Sequence, residues 1–334
     1  MLNKIFIEQL KTGKKVVDFF YVEEKSTRKT RQGKTYLDLK LRDKTGSISA
    51  KVWDKAEKLS GLFSRNDYVK ILALVENYQN NLQLRIEKIR KAEDDEIKQE
   101  DFLPVCDKDV DELFAQLLEY IESVENTHLK SLLDSFFKDE EFVMGYLRTP
   151  AAKSVHHTYL GGLLEHSLSM VQVCEFLVNH YGDLDRDLLI TGAILHDIGK
   201  VRELEIKGGF SYTTGGELLG HTAIGMIMVH DKISGIEDFP EELALLIEHM
   251  ILSHQGMPEW GAVKRPLFKE ALILHYVDDI DAKINLLRTY TEGETSGPED
   301  IWTEKCWYLD NRRFLRLNLF SNDKQETSNQ KYNT

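Results

Sequence analysis

Hydrophobic and polar positions follow one pattern in the first third of the chain and another in the rest. Up to residue 92, short runs rich in β-branched and aromatic residues are separated by polar turns, which is typical of strands. The runs predict strands at 15–24, 35–41, 47–53, 67–76 and 82–91, with one short helix at 54–62. Beyond residue 106, apolar residues recur three and four positions apart, which predicts amphipathic helices.

Three strands, a helix and two further strands are the order of an OB-fold, a small barrel that binds oligonucleotides. We therefore predict an all-β OB-fold barrel at residues 12–92, a linker at 93–106 and an all-α domain at 107–320. Within the helical domain, the stretch at 201–215 predicts a small β-hairpin insertion with a Gly-Gly turn. The polar tail at 321–334 is predicted to be disordered.

The charge of the chain divides in the same place. The whole chain has 43 Lys and Arg against 56 Asp and Glu, a formal net charge of −13. Residues 1–92 hold 21 Lys and Arg against 11 Asp and Glu, so this part carries +10 and the remainder −23. A basic module on an acidic body favours a polyanionic partner for the barrel, although lysine-rich surfaces without a partner are common.

Cations and aromatic residues in the predicted barrel are of the kinds that bind a single nucleic-acid strand. The first loop, predicted at 25–34, carries five cations that could contact phosphates. Three of them are our candidates for substrate binding: Arg28, Lys29 and Arg31. Tyr36 is a candidate for stacking on a base. About half of the barrel's aromatic residues must lie in its core instead, and we expect Phe20 and Trp53 there.

Composition excludes several other classes of protein. The chain is 42% hydrophobic, and no apolar run reaches the roughly 18 residues that a membrane span requires. The first residues, "MLNKIFIEQLKTGKK", lack the apolar stretch of a signal peptide, so we expect a cytoplasmic protein with no membrane partner. The three cysteines are widely spaced, which favours free thiols in a reducing compartment over disulfides or a thiolate zinc site.

A histidine–aspartate pair interrupts one of the apolar helices. His196 and Asp197 stand in "AILHDIGK", and neighbours on a helix point roughly 100° apart, so both can reach one centre only where the helix ends. Gly199 is a natural helix stop. Four further candidates lie on or at the ends of other predicted helices: His166, His221, His254 and Asp278. A lone helical histidine is usually structural, but histidines and carboxylates on helices that pack together can hold metal ions.

The order of these residues resembles that of the HD-domain metal-dependent phosphohydrolases. The residues that carry the resemblance are His166, His196, Asp197, His221, His254 and Asp278, the set of the version that holds two metals. The whole chain is similar to the YhaM-type 3′→5′ exoribonucleases, which join an N-terminal OB-fold to an HD domain. The similar stretches are "AAKSVHHTYLGGLLEHSLSM", "HDIGKVREL", "YTTGGELLGH", "HMILSHQG" and "ALILHYVDDIDAKI".

The resemblance implies a metal-dependent enzyme that trims single-stranded RNA from the 3′ end. Single-stranded DNA is a second candidate substrate, since metal-bound phosphate chemistry itself does not depend on the 2′-OH. The implied ligands of the first ion are His166, His196, Asp197 and Asp278. Asp197 would bridge to a second ion held by His221 and His254. Such mixed ligands suit Mn²⁺, our first choice, as well as Fe²⁺, Co²⁺, Ni²⁺ and Zn²⁺. Two ions about 3.5–4 Å apart can activate water and hold phosphate, so His196 and Asp197 would be catalytic.

Three further residues are candidates for contact with the substrate phosphate. Lys200, one turn past Asp197, either neutralises charge on the phosphate in catalysis or is a plain lysine at a helix end. His156 and His157 either contact the phosphate or stabilise their loop. Gln255 stands where the family often has a second histidine after the ligand histidine, so the number of ions stays open.

Two other classes of function stay open as well. One is an HD phosphohydrolase of small nucleotides, in which the barrel serves assembly or regulation. The other is a non-catalytic RNA-binding protein with a decayed metal site, although the complete ligand set counts against it. The direction of cleavage rests on the resemblance alone, and the sequence does not determine whether the chain forms a homo-oligomer.

Overall fold

Two groups of elements make up the structure, one of strands and one of helices. The structure is a computed structural model that describes residues 4–79, 81–153, 158–292 and 301–316. The first unit comprises Met1–Asp107 and Leu204–Thr213, and the second comprises Lys108–Glu203 and Thr214–Thr334. The tail predicted to be disordered, 321–334, lies outside the described residues.

Five strands of the first unit close into a barrel. They are β1 (Lys15–Lys29), β2 (Thr35–Asp43), β3 (Gly46–Val52), β4 (Tyr68–Tyr78) and β5 (Asn81–Lys91), with the short helix α1 (Ala56–Ser60) between β3 and β4. Their order is β1-β2-β3-β5-β4, and only the β3–β5 pair is parallel among the described ladders of this barrel. Alternate residues point inward, where Phe20, Leu37 and Leu84 are fully buried. The predicted OB-fold is confirmed.

Two details of the barrel differ from the prediction. β1 continues through half of the predicted first loop, because Lys25 to Lys29 pair with β2 although they show no apolar alternation. Trp53, expected in the core, is half-buried and stacks on Tyr36, with the two ring centroids 4.7 Å apart. Phe20 lies in the core as predicted.

Residues 93–106, which we interpreted as a linker, pack into the first unit. Phe102 and Leu103 are buried, and the Phe102 ring centroid lies 4.8 Å from that of Tyr68 in β4. Arg90 of β5 also donates two hydrogen bonds of 2.6 Å to the carboxylate of Glu96. The segment is rich in acidic residues, so no pattern in the sequence indicates that its few apolar side chains pack against the barrel.

The predicted hairpin is present and belongs to the first unit, although helices flank it in sequence. β6 (Leu204–Ile206) and β7 (Phe210–Tyr212) pair in antiparallel register. Gly208, in the turn, has a φ of 62°, and a Cβ added there would lie 1.8 Å from the Tyr21 ring. A residue with a side chain would therefore be strained and would collide with the barrel.

Helices form the second unit. They are α2 (Val110–Glu122), α3 (Thr127–Phe137), α4 (Glu140–Tyr146), α5 (Gly162–Tyr181), α6 (Arg186–Leu195), α7 (Lys200–Glu203), α8 (Thr214–Ser234), α9 (Glu241–Ser253) and α10 (Lys269–Glu292). α5 packs against α2, α6 and α10 and is mostly buried in its first half. The predicted helical domain is confirmed. Within the described part of the chain, no helix is both long enough and apolar enough to cross a membrane.

Candidate metal centre

Six histidine and aspartate side chains from five elements of the second unit converge. They lie within α5 (His166), in the turn after α6 (His196 and Asp197), at the break in α8 (His221), at the end of α9 (His254) and within α10 (Asp278). His166 and His196 are 0% exposed, and Asp197 is 2% exposed. The structure thus brings together all six residues that we selected as metal ligands.

Interruptions of the helices direct these side chains. α6 ends at Leu195, so His196 and Asp197 occupy the turn before α7. α8 is broken at Gly220, whose φ of 71° and ψ of 158° are not helical, and His221 follows the break. His254 caps α9. His196 and His254 keep helical backbone angles as C-caps, so the chain leaves the helical path only after them, whereas in α8 it leaves that path at Gly220, directly before His221.

Gly199 allows the turn after α6 to approach α8. We predicted it as a helix stop, but its φ is not positive, so left-handed geometry is not its role. A Cβ on Gly199 would lie 2.0 Å from the carbonyl oxygen of His221 and 2.6 Å from the backbone nitrogen of Gly225. The two backbones are in contact, which a residue with a side chain would prevent. This contact places Asp197 beside His221.

One group of ligand atoms surrounds the Nε2 atom of His166. This nitrogen lies 3.2 Å from His196 Nε2 and 3.3 Å from Asp278 Oδ1. His196 Nε2 lies 3.3 Å from Asp197 Oδ2. The ligand atoms of His166, His196 and Asp197 are all within 4.8 Å of one another. That spread suits one ion with bonds of about 2 Å to each ligand.

A second group forms around the other oxygen of the same carboxylate. Asp197 Oδ1 lies 3.3 Å from His221 Nε2 and 3.7 Å from His254 Nε2. This oxygen is buried and has no hydrogen-bond partner among the described residues. An anionic oxygen buried without a donor is costly, and a cation shared with two imidazoles would remove that cost. The residues therefore fit a divalent metal ion.

Groups outside the cluster hold the Nδ1 atoms of its histidines. His166 Nδ1 lies 2.7 Å from Asp281 Oδ2. Two other histidines donate to backbone carbonyls one turn earlier, His196 to Ala193 (2.9 Å) and His254 to Ile251 (2.6 Å). These bonds fix the ring orientation and leave Nε2 facing the centre, which is the usual arrangement around histidine-bound metals.

Burial and charge give two of the histidines opposite protonation states. Burial alone would lower the pKa of His166, but the carboxylates of Asp278 and Asp281 outweigh it and raise the pKa to about 10. His254 is equally buried, and there burial prevails and lowers the pKa to about 4. At neutral pH His166 is therefore protonated and His254 is neutral.

Lys200 lies at the cluster, and its ammonium group is already engaged. Its Nζ is bound to Asp197 Oδ2, and the residue is 7% exposed. Burial would raise the pKa of the Asp197 carboxyl, but Lys200 and His196 hold that pKa well below its usual range. Lys200 also lines a cavity of about 160 Å³ that reaches the cluster, which we call the metal cavity. His156 and His157, our other phosphate candidates, lie outside the described residues.

Three further residues contact the cluster, and sequence reasoning gave none of them a partner there. Asp281 Oδ2 bonds His166 Nδ1, and its spacing of three from Asp278 was the available signal in the sequence. Glu203 Oε1 accepts the backbone N–H of His221 at 2.9 Å and lies 3.2 Å from its Nδ1. Gln255, the departure from the family pattern, places Nε2 3.1 Å from His221 Nε2. No local pattern marks Glu203, since its partner is 18 residues away.

One of the four predicted substrate-binding residues of the first unit lies at a second cavity, of about 440 Å³, which we call the barrel cavity. Arg28 lines it, with its Nε 3.0 Å from Asp38 Oδ2, so Asp38 offsets part of its charge. Lys29 and Arg31 are exposed. Tyr36 is half-buried against Trp53, so it offers part of its ring rather than a free face.

Both units match known families of domains. Residues 163–283 match the HD domain, and residues 22–92 match the OB-fold nucleic acid binding domain. The first match includes all six ligand candidates, and the second includes most of the barrel. The sequence resemblance to HD-domain proteins is thereby confirmed.

Curated proteins are similar over nearly the whole chain. The 3′-5′ exoribonuclease YhaM of Geobacillus sp. (strain WCH70) is 38% identical over 285 residues, which cover 85% of this chain and 86% of that protein. The 3′-5′ exoribonuclease YhaM of Bacillus subtilis (strain 168) is 34% identical over 305 residues, which cover 91% of this chain and 95% of that protein. The chain belongs to the family of 3′-5′ exoribonuclease YhaM.

Proposed function

We propose that this protein is a metal-dependent 3′→5′ exoribonuclease that hydrolyses the phosphodiester bonds of single-stranded RNA. The observation that carries the proposal is the carboxylate of Asp197. Its Oδ2 faces His166 and His196, and its Oδ1 faces His221 and His254. The names of the relatives supply the substrate and the direction, and the OB-fold in the same chain supports a single-stranded nucleic acid.

The proposed centre holds two divalent ions, with Mn²⁺ as the first choice. His166, His196, Asp197 and Asp278 would hold one, and His221 and His254 would hold the other with Asp197 between them. When bound, such ions lower the pKa of water and polarise phosphate oxygens. The protein's own residues fix the ring orientations through their Nδ1 bonds and keep most of the centre buried.

We assign Lys200 a role in stabilising charge on the phosphate. Its ammonium lies at Asp197 and lines the metal cavity, so a phosphate held at the centre would be within its reach. Positive charge at that place stabilises the negative charge that develops during hydrolysis. His156 and His157 precede α5 in the sequence and stay candidates for a further phosphate contact.

We propose that the barrel binds the strand while the helical unit hydrolyses its 3′ end. The cations of β1 and its following loop, Arg28, Lys29 and Arg31, would contact phosphates, and Tyr36 with Trp53 would contact a base. Phosphate contacts do not distinguish RNA from DNA, so we expect single-stranded DNA to be accepted as well.

We place this activity in the cytoplasm. The three cysteines, Cys106, Cys174 and Cys306, are free and buried. Free thiols are stable in a reducing compartment, which fits the cytoplasm.

The pattern of products from an end-labelled strand tests the proposal. The protein is incubated with 5′-labelled single-stranded RNA and Mn²⁺, and with the same strand and a chelator. We expect a ladder of strands shortened from the 3′ end with Mn²⁺ and none with the chelator. Release of phosphate from mononucleotides without a ladder would instead indicate a small-nucleotide phosphohydrolase. A DNA strand of the same sequence measures the contribution of the 2′-OH.

A double variant tests whether the cluster is the site of hydrolysis. We expect His196→Ala with Asp197→Ala to abolish the ladder and to leave binding of the RNA strand nearly unchanged, because the barrel is intact. His230→Ala is the control, since this exposed histidine pairs with Glu248 and is not part of the cluster. Retained cleavage in the double variant would refute the site assignment.

A further inference from the structure

Trp260 stands exposed at the metal cavity. The residue is 57% exposed, and it lines the cavity together with Asp197, Lys200, His254, His275 and Asp278. Large exposed aromatic residues lose favourable burial, so an indole beside a cluster of polar groups calls for an explanation. A group that enters the metal cavity would cover part of this indole.

The loop between α9 and α10 holds Trp260 in place. Pro258–Trp260 form a single 3₁₀ turn, in which the Trp260 N–H donates to Met257 O at 3.0 Å. Gly261 ends the turn with a φ of 108°, where residues with side chains are strained. At the start of the loop, a Cβ on Gly256 would lie 2.2 Å from the His275 ring, so the loop is packed closely onto α10. The ring is therefore presented by a well-supported backbone.

A cation lies over the same ring. Lys283 Nζ is 5.7 Å from the Trp260 ring centroid and 2.7 Å from Asp279 Oδ2. A lysine over an indole is attracted to the face of the ring and helps to orient it. Asp279 offsets the charge of Lys283, so the lysine itself is a weak anchor for a phosphate.

The chemistry around Trp260 at the metal cavity suits a nucleobase. Asp197, Asp278 and Lys200 line the metal cavity, where the proposed ions and the lysine would hold the phosphate; a base carries no charge, so its attraction must come from stacking. An indole stacks on any base because every base has a π-face, which fits a nuclease that must accept each nucleotide in turn.

We propose that Trp260 is a stacking platform for the base of the nucleotide whose phosphate is bound at the metal centre. The proposal rests on the proposed function and deepens it, since it names the group that seats the end of the strand. Trp260 is then a substrate-binding residue, and the base contributes to binding without base-specific hydrogen bonds.

The test compares two strands in two proteins. One single-stranded RNA has an ordinary 3′-terminal nucleotide, and the other has the same ribose and phosphate without a base. With the ordinary strand, Trp260→Ala should lower kcat/KM by about 5- to 150-fold, the range for loss of one base–aromatic stack. With the strand that lacks the base, the same substitution should change kcat/KM less than about 2-fold. Trp260→Phe should recover most of the loss, because a smaller ring still stacks.

Control measurements separate the proposal from a general defect. Trp307→Ala removes another exposed tryptophan of the second unit, one that is 76% exposed and lines neither the metal cavity nor the barrel cavity, and it should behave as the unchanged protein on both strands. Uridine monophosphate should inhibit the unchanged protein more strongly than ribose 5-phosphate does. This preference should be smaller in Trp260→Ala and the same in Trp307→Ala.

The outcomes distinguish this proposal from the proposed function. If the unchanged protein shortens RNA but Trp260→Ala loses activity equally on both strands, or loses none, the stacking proposal is wrong and the nuclease stands. If the unchanged protein does not shorten RNA at all, the proposed function is wrong. The proposal that a terminal base stacks on Trp260 is then wrong as well.

Discussion

His166 on α5 and Asp281 on α10 are joined by a contact of 2.7 Å between Nδ1 and Oδ2. The contact ties together two helices that each contribute a candidate ligand, since Asp278 is one turn before Asp281 on the same helix. The other carboxylate oxygen of Asp281, Oδ1, accepts a hydrogen bond from the Ser169 hydroxyl at 2.5 Å. The carboxylate thus fixes the ring of His166 and is itself fixed.

We expect Asp281→Asn to weaken metal binding by about 10- to 100-fold without removing a ligand. The amide cannot hold the His166 ring as firmly, and it no longer makes the ligand nitrogen more basic. Titration calorimetry with Mn²⁺ measures the change. Asp279→Asn is the matched control. It removes an equal negative charge two residues away, and the Asp279 carboxylate pairs with Lys283 rather than with a histidine of the cluster. Equal losses in the two variants would mean that charge alone matters.

We expect metal binding to release protons near neutral pH and to strengthen as the pH rises. The pKa of His166 is raised to about 10, so it carries a proton that a metal ion must displace, whereas the pKa of His254 is lowered to about 4 and it has none to lose above pH 5. Calorimetry in buffers of different ionisation enthalpy counts the protons. Binding with no proton release at pH 7 would contradict a charged His166.

We expect Gly199→Ala to destabilise the second unit by about 1–3 kcal/mol, because the new methyl group meets backbone atoms of α8 that cannot rotate away. The same shift should weaken metal binding, since it separates Asp197 from His221. Thermal unfolding and Mn²⁺ titration measure the two effects. Gly235→Ala is the control, because a Cβ there would lie 3.4 Å from its nearest neighbour, Lys232 O. A stable Gly199→Ala protein with unchanged metal affinity would contradict this role.

We expect replacement of Arg28, Lys29 and Arg31 by alanine to weaken RNA binding and to flatten its dependence on salt. Each lost phosphate contact removes about 0.7 from the slope of log K against log salt on single strands, so the three together remove at most about 2. The true change should be smaller, since Arg28 is paired with Asp38. Fluorescence anisotropy at several salt concentrations measures it.

The control for the barrel replaces three other cations of the first unit, Lys11, Lys55 and Lys58. They are exposed and do not line the barrel cavity. A slope that falls equally in both triple variants would show that the whole surface binds phosphate without a defined path.

The sequence by itself determined the kinds of elements and marked all six candidate ligands. Alternation marks strands and a spacing of three and four marks helices because each side chain must face either the core or water. His196 and Asp197 could be singled out because two polar, metal-capable neighbours at the end of an apolar run have no role in a core.

Only the tertiary structure decided which residues meet. Lys25 to Lys29 are part of β1 because β2 supplies their hydrogen-bond partners. Trp53 lies outside the core and stacks on Tyr36 instead. Glu203 bonds His221 across 18 residues, and Trp260 reaches the metal cavity through a loop with no periodicity. Such contacts join residues distant in the chain, and their geometry depends on how whole helices and strands pack, which a local pattern does not contain.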